Sequence, residues 1–248
     1  MFNQIKNYLR YTKLHFLILR FTNSSYIDWI DKEINFHKKF LKKDNQLIFD
    51  LGANMGDKSH IFLNFSKNLI LYEPEEKLIK KLHLRFRKYN KVKIRNFVVY
   101  DEVKEINFYS ALNRESHSST IKGYLENFDD IDNKKTILKK KISTTLNNEI
   151  DLFGIPFYCK IDCEGSEYKI LKDLNHKINI ISFEANLPNF FQNTLDIVKG
   201  MESKFSSKFN LRKNNEYEFF WKQNVDSHKI KETLLKSNEV FEVFIFNE

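Results

Sequence analysis

The segment Lys160-Ile-Asp-Cys-Glu-Gly-Ser-Glu167 sets two acids two residues apart, where the apolar run Phe157-Tyr-Cys-Lys-Ile-Asp162 gives way to a glycine. Side chains at i and i+2 of an extended chain share a face, so Asp162 and Glu164 can point the same way. Such a pair can take the proton of a weakly acidic hydroxyl. With Glu184, which closes the next apolar run Ile178-Asn-Ile-Ile-Ser-Phe183, it can also offer oxygen ligands to Mg²⁺ or Ca²⁺. Two other readings stand beside these. Asp162 touches a bound small molecule while Glu164 acts as base, or the acids only hold the loop by pairing with Lys160 or a helix N-terminus. Lys160 shares the Asp162 face, and a lysine inside an apolar strand needs a partner, so a structural ion pair is expected there rather than a catalytic amine. His117, beside Ser118-Ser119-Thr120, titrates near neutrality and is either a base or a solvent-facing loop histidine.

A second stretch carries binding chemistry. Leu47-Ile-Phe-Asp-Leu-Gly-Ala-Asn-Met-Gly56 is a short apolar run ending in an acid and two close glycines. It reads as a buried parallel strand, a tight turn, and a helix from about Asp57 to Phe65. Gly52 and Gly56 allow a sharp turn and close approach of a ligand to the main chain. A dinucleotide fingerprint needs G-x-G-x-x-G with a pyrophosphate on the helix N-terminus. Here the middle glycine is Asn54 and the last comes early, so a phosphate is not required. Glu73, 21 residues beyond Gly52, ends the next apolar run, Asn68-Leu-Ile-Leu-Tyr72; an acid there accepts hydrogen bonds from ribose hydroxyls. A nucleoside without phosphate is expected, and S-adenosylmethionine fits that description, with Asp50, Gly52, Ala53, Asn54, Gly56 and Glu73 around it. The bland alternative is an ordinary strand, turn and helix with structural glycines.

The elements that must position these residues alternate from Leu47 onward, which implies right-handed crossovers and a parallel sheet. Pro74 starts a helix over Glu75 to Tyr89, with acids in its first turn and Lys88 near its end, as the helix dipole prefers. A third strand, Val92 to Phe97, brings Asn96 toward the adenine side. Glu105-Ile-Asn-Phe-Tyr-Ser110 and Thr136-Ile-Leu-Lys-Lys-Lys-Ile-Ser143 read as short strands flanking a loop-rich insertion, Asn113 to Asn133, in which substrate recognition is expected. Ser166 can cap the helix carrying Glu167 to Leu174. After a helix near Thr194 to Ser206, two strands are expected at about Glu216 to Lys222 and Val240 to Phe246, with a helix from Ser227 to Leu235 between them. Ligands of open α/β sheets bind just beyond the carboxyl ends of the strands, so Gly52, Glu73, Asp162 and Glu184 should face one crevice.

Composition limits the classes. The chain has 248 residues, 42% of them hydrophobic, with 24 Phe, three Pro and six Gly, which excludes a disordered chain and leaves no compositional linker. Residues 1–44 read as a helical extension and 45–248 as the main domain. In the extension, Leu14-His-Phe-Leu-Ile-Leu-Arg-Phe21 is less than half the roughly 20 residues of a spanning helix; it is a helix packed on the domain or a surface that docks a membrane or a partner. A second helix is expected over about Tyr26 to Leu41. Cys159 and Cys163 are the only cysteines, and along one strand they stand about 13 Å apart, beyond the about 7 Å of a disulfide. A reducing, cytoplasmic compartment follows. The net charge of +8 invites RNA, yet Lys38-Lys39, Lys42-Lys43 and Lys139-Lys140-Lys141 are scattered without interleaved aromatics, as on a solvated face.

Taken in order, Asp50-Leu-Gly-Ala-Asn-Met-Gly56, Tyr72-Glu-Pro74, Ser118-Ser119, Thr144-Thr-Leu146 and Lys160-Ile-Asp-Cys-Glu-Gly-Ser-Glu167 resemble the FkbM family of S-adenosylmethionine-dependent methyltransferases over roughly residues 45 to 190. The resemblance implies an α/β class I methyltransferase fold. That is a Rossmann-like three-layer sandwich with a mostly parallel seven-stranded sheet whose last strand is antiparallel. It also implies O-methylation, commonly of a sugar hydroxyl in a glycan, glycolipid or natural product. Cys163 stands where the family usually has a small aliphatic residue, a difference of packing. Two alternatives remain: an RNA methyltransferase using the basic surface, and an inactive methyltransferase fold serving as an interaction module.

Overall fold

Four-residue strands that are buried along their whole length need cover on both faces. In the computed structural model, which describes residues 24–111, 114–122, 124, 136–185, 187–237 and 239–247, they get it. Along the chain the elements are α1 (Ser24–His37), β1 (Ile48–Leu51), α2 (Asp57–Phe62), β2 (Leu69–Tyr72), α3 (Glu76–Phe86), β3 (Val92–Arg95), β4 (Val98–Tyr100), β5 (Glu105–Ala111), β6 (Arg114–Ser119), β7 (Thr136–Thr145), α4 (Leu146–Phe153), β8 (Tyr158–Ile161), α5 (Glu167–Leu171), β9 (Ile180–Ala185), α6 (Phe191–Phe205), β10 (Lys208–Lys213), α7 (Ser227–Leu235) and β11 (Phe241–Phe246). Seven strands form the main sheet in the order β10-β11-β9-β8-β1-β2-β3. β1 is parallel to β2 and β8, β2 to β3 and β8 to β9, and only β11 runs antiparallel to its neighbours β9 and β10.

The alternation of side chains sorts the core into two halves. On one face Phe49, Cys159, Ile181, Val243 and Leu211 pack against Ile150 of α4, Val198 of α6 and Leu234 of α7. On the other, Ile48, Tyr158 and Ile180 pack against Phe62 of α2 and Phe86 of α3. Helix α1 joins this second layer. Its His37 ring lies 5.3 Å from that of Phe62, and its Phe36 ring 5.5 Å from that of Phe244. The result is helix, sheet, helix. Among the described residues no helix is long and apolar enough to cross a membrane; the expected docking helix at 14–21 lies outside them.

A second sheet, ordered β4-β7-β5-β6, is built from the segment expected to interrupt the alternation. β5 pairs antiparallel with both β6 and β7, and Ser110 donates to the buried Glu75 at 3.0 Å, which fastens this sheet to the start of α3. The expected loop over Asn113 to Asn133 therefore begins as strand β6; its residues 125–133 lie outside the described chain. Two further expectations are corrected. The sixth strand is Lys208–Lys213 rather than Glu216 to Lys222. The aromatic residues of the latter suggested a strand, but they fold over the sheet edge, with the Phe219 ring 5.2 Å from Phe244 and 5.0 Å from Phe36. Ser166 does not cap its helix with its side chain, because its hydroxyl is committed to Thr120 at 2.7 Å.

Candidate active site

The first turn is set by backbone constraints. The amides of Gly52 and Ala53 both donate to the Tyr72 carbonyl at 3.0 Å, which folds the chain back over the end of β2. Gly52 has φ 75°, and a Cβ there would stand 1.9 Å from the Asp162 carbonyl oxygen; only glycine lets β1 and β8 close up at this point. Asn54 follows at φ 52°, a left-handed conformation that Asn tolerates, and its amide donates to Glu73 Oε2 at 2.8 Å. The Glu75 amide donates to the other oxygen, Oε1, at 2.9 Å. Two main-chain amides thus hold Glu73 in a fixed pose, and burial pushes its carboxyl up to about 7.

These residues open into a cleft of about 590 Å³, open solvent at its entrance included. Gly52, Asn54 and Glu73 line one side, and Phe97, Val98, Val99 and Phe108 give it an apolar wall. Ser118, Ser119 and Thr120 cross from the second sheet, and Asp162, Cys163 and Glu164 close the far end. The arrangement suits a molecule with a flat apolar part, a pair of hydroxyls for Glu73, and a polar tail toward Asp162.

The far end is dense with charge. Lys160, 8% exposed, places its ammonium 3.0 Å from Asp162 Oδ2 and 3.5 Å from Asp50 Oδ1. The structural ion pair expected for Lys160 is present, with a second acid in it. Burial works against the ammonium, but Asp162 and Asp50 hold its pKa above the ordinary lysine value. Glu164 sits at φ 53°. It accepts a hydrogen bond from the Tyr124 hydroxyl at 2.6 Å, and its carbonyl accepts one from Ser119 at 2.8 Å. Burial, then the charge of Asp162, pushes its carboxyl up to about 7. Glu167 accepts from the Cys163 amide at 2.9 Å and is likewise raised to about 7 by burial. Both cysteines are free thiols, Cys159 within β8 and Cys163 past its end.

Several candidates lie elsewhere than expected. Asp50 does not line the cleft; it is fully buried beneath the turn, between Lys160 and the Ser59 hydroxyl, which donates to it at 2.5 Å. Ala53 packs into the core with Phe62 and Leu82. Gly56, at φ 80°, is the residue before α2, and a Cβ there would meet the Phe86 ring at 2.6 Å, so its role is packing. Asn96 is exposed and does not line the cleft; the neighbouring Phe97 does. His117 is part of β6, and its side chain lies outside the described residues. Asp162, Glu164 and Glu184 do not assemble as a metal centre, and among the described residues no three His, Cys, Asp or Glu do. Lys160 occupies Asp162 and Tyr124 occupies Glu164, while Glu184 lines a neighbouring pocket of about 540 Å³.

The apolar wall and Tyr124 escaped sequence reasoning. Val98, Val99 and Phe108 carry no chemical signal beyond strand alternation, and Tyr124 meets Glu164 across 40 residues of chain.

A sequence model of the family described as Methyltransferase FkbM domain matches residues 50–231. Solved structures similar to the chain include a precorrin-6y C5,15-methyltransferase from Geobacter metallireducens GS-15 (10% identity, 88% of this chain and 87% of that one, TM-score 0.47). An rRNA methylase from Streptococcus thermophilus matches at 10% identity over 86% of this chain and 93% of that one, with TM-score 0.45. The C-terminal domain of the precorrin-6Y C5,15-methyltransferase of Rhodobacter capsulatus matches at 10% identity over 86% of each, with TM-score 0.42. A search of curated proteins found no match.

Proposed function

The chain belongs to the FkbM methyltransferase family, and from that premise we propose that it transfers the methyl group of S-adenosyl-L-methionine to a hydroxyl oxygen, the acceptor being a sugar of a glycan, glycolipid or related metabolite. The observation that carries the cofactor reading is the pose of Glu73. Its carboxylate is fixed by the amides of Asn54 and Glu75 in the lining of a cleft that also holds the apolar side chains Phe97, Val98, Val99 and Phe108. Ribose hydroxyls would donate to the carboxylate, Phe97, Val98 and Val99 would hold the adenine, and Gly52 and Asp162 would hold the amino-acid end. The cofactor brings the electrophilic carbon; the protein aligns donor and acceptor. In the transfer the sulfonium–methyl bond breaks as the oxygen–methyl bond forms, and the hydroxyl proton passes to a carboxylate at the Asp162 corner.

The same charges argue against an RNA acceptor. Lys139 pairs with Glu75 at 2.5 Å, Lys141 with Glu76 at 3.0 Å and Lys140 with Glu105 at 3.7 Å, so the densest lysine cluster is committed to acids of its own chain. A sugar hydroxyl needs no such surface, and free thiols accord with a reducing compartment. Calorimetric titration with S-adenosylhomocysteine is the direct test. Binding by the wild type that collapses in Glu73→Ala is expected; no heat with the wild type at any concentration would end the reading.

A further inference from the structure

Beside the cofactor cleft, across Asp162, lies the pocket of about 540 Å³ lined by Lys58, Lys160, Asp162, Glu184, Arg212 and Glu242, among others. We propose that this pocket seats an uncharged, polyhydroxylated acceptor, with Glu184 as the carboxylate that takes its hydroxyl proton. The inference rests on the methyl-transfer reading above and names the site and the chemical class of the acceptor.

Topology puts the two cavities together. Sheet register aligns Lys160 with Ser182 and Glu184 with Glu242, while Glu242 in turn faces Arg212. One face of the sheet therefore carries Asp162, Glu184, Glu242 and Arg212 side by side at the carboxyl ends of β8 and β9. Asp162 belongs to both walls. A molecule in the second pocket thus approaches the end of the cleft at which the amino-acid part of the cofactor is placed.

The charges of the wall decide what can enter. Lys58 pairs with Glu33 at 2.6 Å and Lys160 with Asp162 at 3.0 Å. Arg212 pairs with Glu33 at 3.1 Å and also with Glu242, and Lys213 pairs with Glu239 at 2.8 Å. Every cation of the wall already has an acid. No unpaired positive charge is left to draw in a phosphate or carboxylate, and an anion would also meet Asp162, Glu184 and Glu242 in the same wall. An uncharged hydroxyl-bearing ring needs no free cation and can bond to groups of both signs.

Among the described residues, Glu184 is the one ionic group of this wall without a hydrogen-bond or ion-pair partner. It lies half-buried, directly across the strands from Glu242. Like charges directly opposite on a sheet repel. Burial first, and then Asp162, Glu164 and Glu167, raise its carboxyl to about 8, close to the working range of a general base. The balance is complete: the acceptor O–H bond breaks, its proton goes to the Glu184 carboxylate, and the oxygen lone pair takes the methyl carbon as the sulfur recovers its electron pair.

The test uses the full chain with tritium-labelled S-adenosylmethionine and two fractions of a lysate of its own source cells, neutral carbohydrate and RNA. Two variants are compared with the wild type: Glu184→Gln, and Val240→Trp, which fills the pocket from a wall that does not touch the cleft. The expected result is labelled neutral carbohydrate with the wild type and a loss of about 100-fold in both variants, with S-adenosylhomocysteine binding retained as proof of folding. Wild-type rates in both variants would overturn the pocket and leave methyl transfer standing. Label in RNA would overturn the uncharged acceptor, and label in neither fraction, with S-adenosylhomocysteine still bound, would overturn the neutral-carbohydrate acceptor of this pocket but not the methyl-transfer reading, which the calorimetric titration tests by itself.

Discussion

The Asn54 amide donates to Glu73 Oε2 at 2.8 Å, so the turn after β1 is shaped by the carboxylate at the end of β2. Removing that carboxylate unties the turn and, on the proposed reading, takes away the acceptor for two ribose hydroxyls. Hydrogen bonds to charged groups contribute about 1.5–3 kcal/mol, so Glu73→Ala should weaken S-adenosylhomocysteine about 10- to 100-fold, read by calorimetry. Unchanged affinity would remove Glu73 from the ribose site.

The pH dependence of that binding has a definite sign. Burial raises the Glu73 carboxyl to about 7, and the ionised form is the one that accepts hydroxyl donors. Affinity for S-adenosylhomocysteine should therefore fall as pH drops through about 7, by up to tenfold per unit, and the slope should flatten in Glu73→Gln. A slope of the opposite sign would mean that the carboxyl works in its neutral form.

Gly52 is the tightest point of the site. An alanine there would press its Cβ to 1.9 Å from the Asp162 carbonyl oxygen and would have to hold φ near 75°. The backbone strain alone costs about 1–3 kcal/mol, and the clash adds to it by prising β1 from β8. Gly52→Ala is expected to lower the thermal midpoint and to lose measurable cofactor binding; a variant as stable as the wild type would show that the two strand ends can part freely.

Lys160 joins a fully buried acid, Asp50, to one that lines the cleft, Asp162. Replacing it by Met leaves Asp50 buried without a counter-charge, a loss of about 3–5 kcal/mol. Asp50→Asn in the same chain should recover part of this, because the orphaned charge is gone. Urea unfolding of the single and double variants measures the recovery, and a double variant no better than Lys160→Met would place the stabilisation outside the pair.

His37 gives the acid limb of stability. It is 1% exposed, hydrogen-bonded to the Glu33 carbonyl at 2.8 Å, and pushed down to about 4 by burial. Between pH 6.5 and 4 the unfolded chain takes up a proton at His37 that the folded one refuses, so the His37 contribution to stability falls as pH falls through that window, by up to about 1.4 kcal/mol per unit. It does so against the opposite contribution of the raised carboxyls Glu73, Glu164, Glu167 and Glu184. In His37→Gln this part of the slope should vanish, as chemical unfolding at pH 7 and pH 4.5 would register.

What the sequence by itself determined is short-range. Apolar runs of four or five residues ending in Gly52, Glu73, Asp162 and Glu184, with helical periods between them, specify a parallel α/β sheet and put those residues at strand ends, because period and turn chemistry act over a few residues. Tertiary structure decided which of them share a cavity. Strand order and register turn Asp50 inward to Lys160 and bring Glu184 beside Glu242 in the second pocket. They also bring Phe108 across from the inserted sheet and Tyr124 from the segment after β6. The aromatic segment 216–222 shows the same limit, since its residues cover an edge that a neighbouring strand, Lys208–Lys213, completes. Burial and charge pairing depend on partners tens of residues distant, and a local pattern holds no record of where those partners come to rest.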